Sequence, residues 1–327
     1  LEVKKIMFDK VVKVYVQKDI TKLSIKVSDC HVITHTFDTN PRGYAATFTG
    51  DNEIIIAGEH NYDILLVKTD SNGDLIWSQT HDYGTDAARS MILNEYNDIV
   101  LTGISGWGGG PPVLLAKFDQ NDGGEIWETS FSYQRWNHGN DIIAGHNGGY
   151  VIASTHFGDE DGQSKIAIKT DQDGNLEWTA SYTDDDGEPQ GSKHIARTSD
   201  GGYITGGNQY LVKISSSGNV EWAEYQDEIL FINVPESNSI DFIKSRSDGE
   251  MIIFLSYDND MNYLNGNVLD LSQYNKVDHP NFGAVYRFTA VNDGFALLAK
   301  DIHNNCSLLK FDDLGNFEWA RSYRIGM

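Results

Sequence analysis

The feature that most constrains the fold of this chain is a motif that recurs along the sequence. Each copy holds a Lys, then a turn rich in Asp, Asn, Ser and Gly, then a Trp nine or ten positions after the Lys. The copies are LLVKTDSNGDLIW (65–77), LLAKFDQNDGGEIW (114–127), IAIKTDQDGNLEW (166–178), LVKISSSGNVEW (211–222) and LLKFDDLGNFEW (308–319). Self-similarity at a fixed period predicts a repeat architecture.

The spacing of the copies predicts one more. Successive Trp residues lie 50, 51, 44 and 97 positions apart, and the last step spans two periods. We therefore expect a degenerate copy near residue 270, where GNVLDLSQYNKV (266–277) has lost the Lys and the Trp, with Tyr274 in the place of the Trp.

A second repeated element precedes each copy. It reads DNEIIIAG, NDIVLTG, GGYVIAS, GGYITGG, DGEMIIF and DGFALLA, beginning near residues 51, 97, 148, 201, 248 and 293. Such β-branched and aromatic runs, entered by turn residues, are typical of strands led by tight turns. With a further short run before each, every unit reads as four strands, A to D, and no segment shows sustained helical periodicity.

Four short strands in a unit of about 40 to 50 residues are typical of a β-propeller blade. Six such units account for residues 43–323, and residues 1–42 contain enough strand patterns for one more. We therefore expect an all-β, single-domain β-propeller over residues 1–327, built from four-stranded antiparallel blades. Seven blades are expected, and the alternative is six blades with residues 1–42 as an N-terminal appendage.

The repeats resemble those of bacterial and archaeal secreted β-propeller proteins whose units read GGYIIAG followed by LVKTDxxGDxxW. The resemblance covers residues from about 44 to 323. It implies an extracellular or cell-surface location. The sequence departs from the family pattern in the fifth unit, which lacks the motif, and in residues 1–42, which do not match it.

Charge narrows the classes of partner. The chain has 48 acidic and 25 basic residues, a net charge of −23, whereas nucleic acids and anionic membranes require a basic face. No apolar run approaches the roughly 20 residues of a membrane span, so membrane insertion is not expected.

The N-terminal segment has the opposite charge. Its first 30 residues hold seven Lys and four acids, a net of +3. These lysines are interpreted as protecting the edge of a divergent blade. The alternative is a strand, within residues 1–20, that is donated to a neighbouring copy in self-assembly.

The two cysteines, Cys30 and Cys306, fall at opposite ends of their predicted blades, so we expect them not to form a disulfide bond.

Most aspartate clusters fall at hairpin turns, where Asp, Asn and Gly are favoured because they tolerate positive φ and form local hydrogen bonds. No cofactor is expected, and the calcium candidates are the loop residues Asp159, Asp161, Asp184 and Asp186.

The predicted topology gives the candidate binding site. The B–C and D–A connections of a blade emerge at one end, and here they are long and aromatic, which favours binding. The candidate residues are His60, His81, Trp107, Tyr133, Arg135, Trp136, His138 and His156. The alternative is that these loops only cover the end of the domain with their own aromatic side chains.

The recurring Trp residues fit packing between blades better than a cofactor site. Signatures of zinc proteases, α/β-hydrolases and P-loop enzymes are missing from the sequence. We therefore expect a non-enzymatic extracellular binding or scaffold module for a protein or a glycan. The alternatives are a structural subunit of an extracellular filament or surface assembly, formed through the N-terminal strand, and a glycan-acting enzyme.

Overall fold

A computed structural model describes most of the chain. The described residues are 2–6, 11–13, 22–27, 31–36, 42–84, 87–106, 111–133, 137–156, 164–183, 191–207, 209–226, 228–235, 239–245, 251–258, 261–270, 282–291, 294–301, 306–312 and 317–323. They form strands, turns and bends without a helix, so the described part of the chain is all-β as expected.

The strands form four-stranded sheets. The N-terminal sheet contains Glu2–Ile6 (β1), Val11–Lys13 (β2), Lys22–Val27 (β3) and His31–Thr36 (β4). Sheet 1 contains Arg42–Phe48 (β5), Ile54–His60 (β6), Asp63–Thr69 (β7) and Leu75–His81 (β8). Sheet 2 contains Ala87–Leu93 (β9), Ile99–Ile104 (β10), Val113–Phe118 (β11) and Glu125–Phe131 (β12). Sheet 3 contains Asn137–Ala144 (β13), Tyr150–His156 (β14), Ser164–Thr170 (β15) and Leu176–Tyr182 (β16).

The remaining sheets follow in the same way. Sheet 4 contains Ser192–Arg197 (β17), Tyr203–Gly207 (β18), Tyr210–Ile214 (β19) and Val220–Tyr225 (β20). Sheet 5 contains Ile229–Asn233 (β21), Ile240–Ser245 (β22), Met251–Tyr257 (β23) and Tyr263–Asp270 (β24). Sheet 6 contains Phe282–Val291 (β25), Gly294–Asp301 (β26), Cys306–Phe311 (β27) and Phe317–Tyr323 (β28).

Sheets 1 to 6 keep their strands in chain order. Sheets 1, 2, 3, 5 and 6 are antiparallel at every pairing, and sheet 4 is antiparallel from β18 to β20. The predicted unit of four short antiparallel strands is therefore confirmed in five sheets, whereas the number of blades stays a prediction.

The N-terminal sheet is built differently from the repeats. Its order is β2-β1-β3-β4, in which β1 is antiparallel to β2 but parallel to β3. Residues 1–42 thus contain the expected strands, but the parallel pair requires a crossover between β2 and β3, which the hairpin-linked repeats do not need.

Sheet 5 departs from the sequence expectation. The run that begins at Met251 was expected as a second strand, but it is the third strand, because Ile229–Asn233 occupies the first position. The segment GNVLD accordingly belongs to the fourth strand. Tyr274, expected in the place of the missing Trp, lies outside the described residues, as does Cys30.

Two compact units divide the chain: residues 1–195 with 217–219, and residues 196–216 with 220–327. In the first unit one core cluster contains Ile55 and Leu101, and another contains Ile152. In the second unit a cluster contains Ile204 and Phe242. Second and third strands such as β6, β7 and β10 are buried almost throughout, while the fourth strand β8 is mostly exposed. Burial on both faces explains why the inner strands read as continuous hydrophobic runs.

The first strands of sheets 1, 2 and 3 each contain a β-bulge. The register shifts there leave Tyr44, Arg89 and Asn140 without a cross-strand partner. In sheets 1 and 2 a glycine lies opposite the bulge, and a Cβ on Gly58 or Gly103 would collide with the backbone carbonyl oxygen of Arg42 or Ala87. The bulge therefore explains the Gly that ends the repeated runs IIIAG and IVLTG.

This explanation predicts that Gly103→Ala destabilises the protein. The collision is with backbone, so the bulge must shift, and we expect a loss of about 2 kcal/mol or more in the free energy of unfolding. Gly50→Ala is the matched control, because a Cβ at Gly50 has no heavy atom within 4 Å. Urea unfolding followed by fluorescence measures both variants, and equal midpoints for the two would contradict the explanation.

Candidate functional site

The repeated Lys and Trp of the motif are cross-strand partners. Lys68 pairs with Trp77, Lys117 with Trp127, Lys169 with Trp178, Lys213 with Trp222 and Lys310 with Trp319. In every case the register shifts directly after the Lys, so the spacing of nine or ten residues reflects a hairpin with a bulge. The motif is thus a unit of local structure.

Each of these lysines is buried or nearly so, and each meets a carboxylate. Lys68, Lys169, Lys213 and Lys310 are only 2% to 5% exposed. The Nζ-to-oxygen distances are 2.7 Å for Lys68–Glu53, 2.8 Å for Lys117–Asp98, 2.7 Å for Lys169–Glu177, 2.7 Å for Lys213–Asp200, 3.1 Å for Lys213–Glu221 and 3.2 Å for Lys310–Glu318. A buried ammonium requires such pairing, because removal from water disfavours its charged form.

The carboxylate comes from either of two places. Glu53 and Asp98 come from the turn between the first and second strands, and there the residue before the Trp is Ile. Glu177 and Glu318 instead directly precede the Trp. Sequence reasoning did not identify these two sources of the carboxylate, although the residue before the Trp is Ile in the first two copies and Glu in the last three.

The Trp side chains join one sheet to the next in the first unit. A Cβ on Gly123, Gly174 or Gly218 would lie 2.7 to 2.9 Å from the ring atoms of Trp77, Trp127 or Trp178, respectively. These glycines have φ between +75° and +86°, a left-handed conformation that side chains rarely adopt. The interpretation of the Trp residues as packing between sheets is confirmed for these three, so the motif is structural.

The ion pair between Lys213 and Asp200 makes the stability of the protein dependent on pH. Partial burial alone would raise the pKa of Asp200, but hydrogen bonds from Lys213, Thr198 and the Gly202 amide hold it at about 2. Because this pKa is lowered on folding, Asp200 stabilises the protein above about pH 4, and that contribution is lost as the pH falls toward 2.

Asp200→Asn should therefore lower the free energy of unfolding by about 1 kcal/mol at pH 7, a discounted value because the carboxylate is half exposed. The difference from wild type should shrink as the pH falls from 4 to 2. Urea unfolding over this pH range measures it, with the exposed turn variant Asp51→Asn as control. A pH-independent difference would contradict the assignment.

A polar cluster lies on the first strands and on the adjoining second strands, at the end where the first strands begin. Arg89 Nη1 donates to Asn140 Oδ1 at 2.8 Å, and Ser90 Oγ donates to Asp141 Oδ1 at 2.8 Å, which links β9 to β13. Asn140 Nδ2 donates to the Ser192 carbonyl oxygen at 2.8 Å, which links β13 to β17. Side chains therefore join these neighbouring first strands. We call Tyr44, Glu59, Arg89, His138, Asn140, Asp141 and Thr155 the first-strand cluster.

Arg89 is the unusual member of the first-strand cluster. Its guanidinium is half-buried, and burial lowers its pKa. Among the described residues no carboxylate lies within ion-pair distance of it, and its one hydrogen bond goes to a neutral amide. Arg42, by contrast, lies 3.3 Å from Glu59, which also accepts a hydrogen bond from Tyr44 at 2.9 Å.

The neighbours of Arg89 are largely neutral at pH 7. Burial, together with the positive charge of Arg89, lowers the pKa of His138 to about 4. Burial also raises the pKa of Tyr44, although its hydrogen bond with Arg42 opposes this. The imidazole and the phenol are both uncharged at pH 7, so the cluster offers one cation surrounded by hydrogen-bonding groups.

The structure places the predicted site residues in different settings. His138 belongs to the first-strand cluster, and Asn137, directly before it in the chain, donates through Nδ2 to the Tyr133 carbonyl oxygen at 2.8 Å. His60 ends β6, beside a turn in which Asn61 and Tyr62 have φ of 55° and 74°. His156 ends β14 and pairs with Asn137.

His81 lies in a strand, whereas the sequence placed it in a connection. It is the last residue of β8, and its Nε2 donates to the Gly123 carbonyl oxygen at 3.0 Å. Its ring also packs on Phe118 of sheet 2, with centroids 4.5 Å apart. His81 therefore joins sheet 1 to sheet 2.

The remaining residues predicted to bind a ligand or calcium lie outside the described residues. They are Trp107, Arg135, Trp136, Asp159, Asp161, Asp184 and Asp186. Within the described part of the chain, no group of three or more His, Cys, Asp or Glu side chains is placed to hold a metal ion. The same residues contain no helix that could cross a membrane.

Comparison with known proteins bears on the fold alone. No protein-family model and no curated protein matches the chain. A structure from Lactobacillus plantarum aligns with a TM-score of 0.56 at 10% identity, covering 83% of this chain and 81% of that one. A protein of unknown function from Dyadobacter fermentans aligns with a TM-score of 0.55 at 9% identity, covering 94% and 96%. The chain thus shares its all-β fold of four-stranded sheets with solved structures.

The His138 environment predicts a specific titration. Its ring should titrate with a pKa of about 4, so the free energy of unfolding should fall as the pH decreases from 6.5 toward 4, because the unfolded chain binds the proton more readily. Arg89→Met removes the repelling charge and should raise the pKa of His138. NMR titration of the imidazole measures both values, and an identical His138 titration in the variant would contradict the placement of Arg89.

Proposed function

We propose that this protein is an extracellular, non-enzymatic binding module that binds a glycan at the end of its sheets where the first strands begin. The fold proposed for it is a β-propeller of seven blades, in which the N-terminal sheet and sheets 1 to 6 are one blade each. The repeated four-stranded sheets support this fold, and the resemblance of the repeats to secreted proteins supports the extracellular location.

The observation that carries the proposal is the first-strand cluster. Its donors and acceptors come from three successive sheets and are held by hydrogen bonds between side chains, such as Asn140 Nδ2 to Thr155 Oγ1 at 2.9 Å. Sites on strands hold their groups more firmly than sites on loops do, which lowers the entropic cost of binding.

The composition of the cluster favours a sugar as the ligand. Sugar hydroxyls both donate and accept hydrogen bonds, and the cluster supplies amide, carboxylate, hydroxyl and imidazole groups within a small area. The residues predicted from the sequence to bind include Tyr133, Trp107 and Trp136, and aromatic side chains suit stacking on sugar rings. A protein partner is the alternative outcome of the test.

A glycan array tests the proposal. Labelled wild-type protein should bind a subset of glycans, and Asn140→Ala should weaken that binding at least about tenfold, because several hydrogen bonds of the cluster depend on this amide. Asn175→Ala is the matched control, since Asn175 lies in the turn at the opposite end of sheet 3.

Unfolding midpoints of both variants would verify that they fold. Absence of glycan binding, or binding that is lost in Asn175→Ala but retained in Asn140→Ala, would contradict the proposal. Turnover of a bound glycan would favour the glycan-acting enzyme instead.

A further inference from the structure

We infer that Arg89 is the anchor of an anion site, and that its ligand is the single carboxylate of a sugar acid. This inference rests on the proposed function, and it names the group of the glycan that the first-strand cluster recognises.

The first argument is the unused hydrogen-bonding capacity of Arg89. A guanidinium carries five N–H donors, whereas the hydrogen bond of Arg89 to Asn140 employs one nitrogen, Nη1. Its half-buried position withdraws the charge from water without supplying a carboxylate among the described residues. An external anion would supply the missing partner, and a carboxylate fits the fork of a guanidinium with two parallel hydrogen bonds.

The contrast with the other cations supports this argument. Each of the five motif lysines has a carboxylate within 3.2 Å, and Arg42 has Glu59. In a chain of net charge −23 acidic side chains are abundant, yet among the described residues none lies within ion-pair distance of Arg89.

The second argument is that Arg89 is held in place before any ligand arrives. Asn140 accepts from Arg89 through Oδ1, while its Nδ2 donates to both Thr155 Oγ1 and the Ser192 carbonyl oxygen. These bonds fix the orientation of the amide, and the amide in turn restrains the guanidinium. Arg89 also occupies a bulge, the position taken by Tyr44 in sheet 1 and Asn140 in sheet 3.

The third argument selects a sugar acid among anions. Asp141 and Glu59 add negative charge to the same cluster, which disfavours a phosphate dianion or an acidic polypeptide. His138 is uncharged at pH 7, so it adds a hydrogen bond without a second positive charge. A ligand with one carboxylate and several hydroxyls matches one guanidinium beside hydrogen-bonding groups that include the carboxylates of Asp141 and Glu59.

Calorimetric titration with D-glucuronate, and with D-glucose as its neutral counterpart, tests the inference. Wild-type protein should bind glucuronate at least about tenfold more tightly than glucose. Arg89→Met should weaken glucuronate binding about 10- to 100-fold, and Arg89→Lys should give an intermediate loss because it keeps the charge without the fork. Arg197→Met is the matched control, since Arg197 is exposed at the other end of a first strand.

The outcomes separate this inference from the proposed function. Equal affinity for glucose and glucuronate, no glucuronate binding at millimolar concentration, or glucuronate binding unaffected by Arg89→Met would overturn the inference. A poly-glutamate peptide that binds more tightly than glucuronate through Arg89 would also overturn the assignment to a sugar. Glycan-array binding that depends on Asn140 but not on Arg89 would leave the proposed function intact while removing the anion site.

Discussion

The contact between a Trp and a glycine of the following sheet is the interaction on which the first unit depends. Trp77, Trp127 and Trp178 each lie against a turn glycine that has no room for a Cβ. The copies at 114–127 and 166–178 therefore contact two neighbours: the glycine of each receives the Trp of the preceding sheet, and its own Trp contacts the next sheet. Neither residue can change alone, which explains why Lys, Gly and Trp recur together at a nearly constant spacing.

The buried lysines show that the repeat tolerates a change in which residue pairs with the ammonium. Every described copy keeps the ammonium and pairs it, yet the carboxylate is supplied by Glu53 in one sheet and by Glu177 in another. The geometry requires a negative charge near the Nζ and does not specify which strand or turn provides it. Because an unpaired buried ammonium is strongly unfavourable, the pair is better regarded as a requirement of each hairpin than as a net source of stability.

The sequence predicted the inner strands well because they are buried on both faces and are entered by turn residues, as in GGYVIAS and β14. It did not predict the bulges, since one extra residue in Ala87–Leu93 leaves no mark on a hydrophobic pattern. For the same reason the sequence pattern does not indicate Arg89: it lies within a strand, whereas the predicted binding residues were assigned to connections. His138, predicted within a connection, lies in β13, which begins at Asn137. The shifted order of sheet 5 was not predicted because Ile229–Asn233 reads like any other short strand.

The bulges also provide positions at which a structural repeat can vary its side chains. A bulged residue has no cross-strand partner, so the ladder does not select its side chain, whereas the residue opposite must stay small, as Gly58 and Gly103 do. The same backbone position therefore holds Tyr44, Arg89 and Asn140 in three successive sheets, on a scaffold that does not depend on their identity. Substitution at these positions can alter the side chains at this end of the sheets while the packing of Trp on glycine, which holds the sheets together, is left unchanged.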